Sequence, residues 1–123
     1  MADPIKSMSE ANAAYQAALA ALQSAHNRLD EITAAIPVDW TAYSAGLQTC
    51  TTCQGSAQTA LSVYQAAILN TPDVLALIGQ LKADTQSMNQ AAAALDRTAA
   101  MFNKLATDAN TLTSTLTKIL KFV

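Results

Sequence analysis

A chain of 123 residues, 51% of them apolar and only 13% charged, has the size of one domain and is long enough to bury its own core. With 7 basic against 9 acidic side chains it offers no electrostatic footprint for a phosphate backbone, so nucleic acid is not an expected partner. Alanine is the commonest residue, and Gly and Pro number three each; no apolar run reaches the roughly 18 residues of a membrane span, which leaves an all-α protein with only surface contact to a membrane still open.

The N-terminal MADPIKSMSEANAAYQ lacks a basic head followed by a continuous apolar core. The default expectation is therefore the cytoplasm, with export without a cleaved signal as the other route.

The first helix is expected over about 7–36. Ser7 or Ser9 can cap it, and Glu10 stands three residues beyond Ser7, the capping-box spacing. A seam of Ile5, Met8, Asn12, Tyr15, Leu19, Leu22, His26, Leu29, Thr33 and Ile36 alternates steps of three and four, until Pro37 closes the helix.

Asp39 is a good N-cap for a second helix over about 40–70, with the seam Trp40, Tyr43, Leu47, Cys50, Gln54, Ala57, Leu61, Tyr64 and Ile68. Between Asp39 and Asp73 no residue is charged, yet Gln, Thr and Ser are frequent throughout. A helix in contact with water on one side gains little from avoiding every Lys and Glu, so a second contact surface is expected there, with Gln58 and Gln65 on it alongside Thr51 and Ser62.

Thr71-Pro72-Asp73 combines a cap, a residue suited to the first helical position and a carboxylate at the positive helix end. A third helix is expected over about 72–121, because the seam from Val74 through Met88, Leu95, Phe102 and Leu116 to Val123 holds its register throughout. Such a helix would reach about 75 Å against about 45 Å for each of the others. In a hairpin about 70–72, residue 102 comes level with residue 40, and 102–123 overhangs.

The overhang carries Phe102, Leu105, Leu112, Leu116, Ile119 and Leu120. Leaving each large side chain wet costs about 1.5–3 kcal/mol, so two arrangements compete. A straight helix would bury the stripe against another chain; a break at Ser87-Met88-Asn89-Gln90 would fold it back as a fourth helix. The expected architecture is thus one elongated antiparallel helical bundle or coiled coil over 1–123, with three long helices or four.

Candidate chemistry is sparse. Cys50 and Cys53 form C-T-T-C, but about ten residues inside a helix rather than at a helix N-terminus after a strand, and with only His26 as a further soft-metal ligand. A small metal- or thiol-handling bundle around Cys50, Cys53 and His26 is the alternative function; the main reading assigns no metal, cofactor or catalytic residue. Asp30 and Glu31 point apart on a helix, and Asp84, Asp96 and Asp108, twelve residues apart, would form one acidic line on a straight third helix. Trp40 and Tyr43 gather aromatic surface at one bundle end, as a core cap or as a docking patch.

In general character the chain resembles small exported helical subunits of bacterial assemblies, which are also rich in Ala, Ser, Thr, Gln and Asn, poor in charge and closed by an apolar helix. The function expected is a non-enzymatic structural or interaction protein. It would associate with itself or another helical protein through its C-terminal and uncharged second helices. An amphipathic surface coat is a further alternative.

Overall fold

The computed structural model describes residues 3–123 and consists of four helices: α1 Ser9–Ala34, α2 Trp40–Gln65, α3 Pro72–Ala93 and α4 Ala99–Leu120. The long third helix expected from the register therefore does not form, and the fold-back does. Its break lies at Ala94–Thr98, several residues beyond the expected 87–90.

Local chemistry explains the break. The Asp96 carboxylate accepts the Thr98 backbone N–H at 2.8 Å and the Thr98 hydroxyl at 2.6 Å, and the Thr98 hydroxyl oxygen accepts the Met101 N–H at 3.3 Å. The five-residue stretch 94–98 thus stops one helix and caps the next. The reversal also removes the length mismatch: α1 and α2 have 26 residues each, α3 and α4 have 22. Those are rods of about 39 and 33 Å.

Two other starts follow the expected logic. Asp39 accepts the Ala42 N–H at 3.0 Å, and Thr71 accepts the Val74 N–H at 3.2 Å with Pro72 in the first turn. The α1 start differs. Met8 is the cap residue and no side chain caps it, because Ser7 takes a left-handed φ of 49° and turns the chain; Ser9 instead donates to Glu10.

Around the bundle the helices follow the cyclic order α1, α2, α4, α3; α1 and α4 also touch across one diagonal, while α2 and α3 stand on opposite corners without meeting. Thr49 bonds to the Phe102 carbonyl and Ser56 to the Ala109 carbonyl, seven residues further along both helices, so α2 and α4 run parallel. The turns 35–39 and 94–98 share one end, here the turn end. Segment 66–71 crosses diagonally at the other, the crossover end, where Ile5 and Ile68 exchange backbone hydrogen bonds of 2.7 and 2.9 Å and Leu69 N–H donates to the Phe122 carbonyl.

The core has two textures. The α1 and α2 contribution is mostly of small side chains, with Ala11, Ala14, Ala18, Ala21, Ala25, Ala42, Gly46, Cys53, Ser56 and Ala60 buried and Leu29, Ile32 and Val63 as the larger exceptions. From α3 and α4 come Val74, Leu81, Met88, Phe102, Leu105, Leu112, Leu116 and Ile119. The expected seams of α1 and α2 are thus displaced. Tyr15, Leu22, Tyr43 and Tyr64 lie half-buried on the flanks, while Leu19, Ile36, Trp40 and Leu47 are exposed. Large side chains already fill the centre from one side, so the facing helices approach with their alanine faces.

Candidate interaction surface

The outer face of α2 is built by what its core face excludes. Once Ala42, Thr49, Cys53, Ser56, Ala60 and Val63 turn inward, the helical period puts Ser44, Gln48, Thr51, Gln54, Gln58, Ser62 and Gln65 in solvent. None carries a charge. Several hydroxyls on this helix are committed to it: Thr51 donates to the Leu47 carbonyl at 3.2 Å, Thr52 to Gln48 at 2.9 Å and Ser62 to Gln58 at 3.1 Å. Such back-bonding leaves fewer free donors and so a drier surface than the count of hydroxyls suggests.

Between α2 and α4 this face sinks into a shallow groove. Trp40, Thr41, Ser44, Gln48, Ala99 and Asn103 line its first stretch; Leu47, Thr51, Thr52, Ala106 and Asn110 join Gln48 and Asn103 along the second. No charged side chain borders either stretch. Trp40 is 66% exposed and meets half-buried Tyr43 edge-on, with ring centroids 5.6 Å apart. Trp40 and Tyr43 therefore do not cap the core together: the tyrosine helps close it, and the indole stands in solvent at the turn end.

The C-terminal stripe proves to be interior. Phe102, Leu105, Leu112, Leu116 and Ile119 are fully buried, and Leu120 is half-buried. They lie against this chain's own α2 and α3, so no open apolar arm remains over 102–123.

Polar contacts run through the same interior seam. Thr49 donates to the Phe102 carbonyl at 2.8 Å, Ser56 lies 2.9 Å from the Ala109 carbonyl and 2.7 Å from the Thr113 hydroxyl, and Asp84 accepts from Gln80 and Thr115. Among the described residues every buried side-chain nitrogen and oxygen has a partner. Asp84 is buried, although the twelve-residue spacing of Asp84, Asp96 and Asp108 places it on one acidic line of a straight helix. That line does not exist: Asp84 faces α4, Asp96 lies in the turn before α4 and holds its cap residue Thr98, and Asp108 pairs with Lys104 at 3.3 Å. Its bonds from the Thr98 side chain and backbone hold the Asp96 carboxyl below the ordinary carboxylate range.

The C-T-T-C pair lies in the core as two free thiols. Burial pushes Cys53 up to about 12 and raises Cys50, which disfavours the thiolate that redox exchange and metal ligation require. His26 is exposed on α1. Among the described residues no three His, Cys, Asp or Glu side chains gather as a metal-binding group. Of the adjacent acids on α1, Glu31 pairs with Arg28 at 2.8 Å, and Arg28 also donates to the Leu95 carbonyl, tying α1 to the second turn.

No described helix is long and apolar enough to cross a membrane. Comparisons with protein-family models, with curated proteins and with solved structures find no match to this chain.

Proposed function

We propose that the chain is a non-enzymatic structural or interaction protein that associates, with itself or with another helical protein, through the outer face of α2. One observation carries this reading: a 26-residue helix exposes a full face with no charged side chain, bordered by an uncharged groove, in a protein whose other helices all carry charge. Free protein surfaces are about 25–35% charged, whereas the cores of interfaces are depleted in charge. The C-terminal large side chains have no part in this contact, because the bundle itself uses them. The composition shared with small helical subunits of bacterial assemblies points the same way.

Replacing Gln58 and Gln65 together by Lys tests it. Both are exposed, so the monomer's stability should change by no more than about 0.5 kcal/mol. A desolvated, unpaired ammonium group in an interface costs several kcal/mol, so association measured by sedimentation velocity should be lost. Unchanged association in the double variant would refute the assignment of this face.

A further inference from the structure

We propose that the occupant of the α2 face is a second copy of this chain, its own α2 packed antiparallel on the first about a two-fold axis near Thr51 and Gln54. This rests on the reading of that face as the association surface and adds the partner and the register. Apart from the small residues that face the core, α2 carries a second seam on its outer side. Trp40, Ser44, Leu47, Thr51, Gln54, Gln58, Leu61 and Gln65 follow one another in alternating steps of four and three along the whole helix. That is the spacing of a helix packed lengthwise on another helix. Trp40 and Leu47, 66% and 46% exposed, stand on it beside half-buried Leu61.

The seam is its own complement. Turned end for end it falls on itself, with Trp40 opposite Gln65 of the other copy, Ser44 opposite Leu61, Leu47 opposite Gln58 and Thr51 opposite Gln54, and no seam position left over. Each large apolar side chain then meets a small residue or the flexible stem of a glutamine. At the axis, the Thr51 hydroxyl already donates to the Leu47 carbonyl, so its oxygen is left to accept from the Gln54 amide of the other copy. Such polar positions within a seam fix its register. A parallel pairing would instead set Trp40 on Trp40 and Ser44 on Ser44 in successive layers, one overfull and one hollow, and would align the two helix dipoles unfavourably.

Charge and area select the same partner. A charged surface laid on this face would leave its ions unpaired, so the matching surface must itself be uncharged along a full helix. In this chain α2 meets that condition, because α1, α3 and α4 all carry charge. Its flanks do not interrupt the contact: the groove shared with α4 has no charged border, and α1 has no Lys, Arg, Asp or Glu between Glu10 and Arg28. A face about 39 Å long and roughly 20 Å wide across α2 and its groove presents roughly 800 Å², the area each partner contributes to a standard interface. The same patch serves both copies, so the contact is isologous and closes at the dimer.

The test mixes two full-length variants, Leu47→Cys and Gln58→Cys, at a concentration at which the unaltered protein sediments as a dimer, and adds a short bismaleimide. Both positions are exposed, thermal melts establish that each variant folds, and the unaltered protein, whose own thiols are buried, is the blank. The mixture is expected to give a covalent heterodimer, identified by its mass. Each variant alone is expected to give none, because identical positions then lie eleven residues apart along the antiparallel pair, about 16 Å. Cross-linking of each variant with itself, or a dimer that gives no heterodimer in the mixture, would overturn the proposed pairing; where Gln58→Lys with Gln65→Lys still abolishes that dimer, the α2 reading stands without it. A purified protein that stays monomeric at every concentration would overturn the second copy and leave the α2 face to another helical protein. A dimer that persists in the Gln58→Lys, Gln65→Lys protein would overturn the α2 reading and this proposal together.

Discussion

The α1–α2 hairpin closes mostly on alanine, glycine, serine and cysteine, with Leu29, Ile32 and Val63 as its larger members, whereas the α3–α4 hairpin closes mostly on leucine, methionine, isoleucine and phenylalanine, and the two are therefore expected to fail in opposite ways. Where side chains are small the helices approach closely and there is no room to add. Where they are large, the energy lies in the apolar volume they bury, and removal is what hurts. Gly46 marks the place where the textures meet: a Cβ built there would come within 2.6 Å of Leu29 Cδ2 and 3.1 Å of Phe102 Cζ.

The comparison is broken most severely from the large side. Phe102→Ala removes a fully buried ring at the junction of α4 with α2 and should cost about 3–5 kcal/mol in chemical denaturation. A loss below about 1 kcal/mol would mean that the ring is not in a packed core.

Overfilling the small side comes next. Ala18→Leu, at a fully buried position of α1, should destabilise by about 1–3 kcal/mol despite the added apolar area. An increase in stability there would show that the α1 alanine face has open space beside it. Gly46→Ala sharpens the point, because its penalty should shrink when Phe102 is also Ala; the double-mutant cycle measures that coupling directly.

The smallest effect belongs to the polar ties across the parallel α2–α4 pair. Ser56→Ala deletes a hydroxyl that bonds to the Ala109 carbonyl but leaves that carbonyl within its helix ladder, so a thermal melt should report a loss of about 1 kcal/mol. No change at all would indicate that close backbone approach, not the hydroxyl, fixes this register.

The sequence was legible where a local rule sufficed. Asp39 and Thr71-Pro72-Asp73 announced their helix starts through caps whose hydrogen bonds are local. Asp96 and Thr98 carry the same chemistry, but the apolar register running from Val74 to Val123 hid it: a heptad that continues through a turn looks identical to one that continues along a helix. The seams of α1 and α2 were misplaced for a different reason. Large side chains mark a seam only when both partners contribute them. With Phe102, Leu105 and Leu112 supplying the volume, Tyr15 and Leu22 moved to the flank and Ala14, Ala18 and Ala21 to the centre.

The candidate surface divides similarly. The uncharged stretch and the exposure of Gln58 and Gln65 followed from composition and period, whereas the groove shared with Asn103 and Asn110 required the parallel placement of α4, which only the reversal at 94–98 creates.

Everything above depends on α4 being part of the core and not an arm beside it, and helix-resolved amide hydrogen exchange tests that most directly. The account predicts that amides from Phe102 to Ile119 are protected to the same free energy as those from Ala42 to Val63, because both helices open only when the bundle does. Rapid exchange along α4 while α1 and α2 stay protected would contradict it.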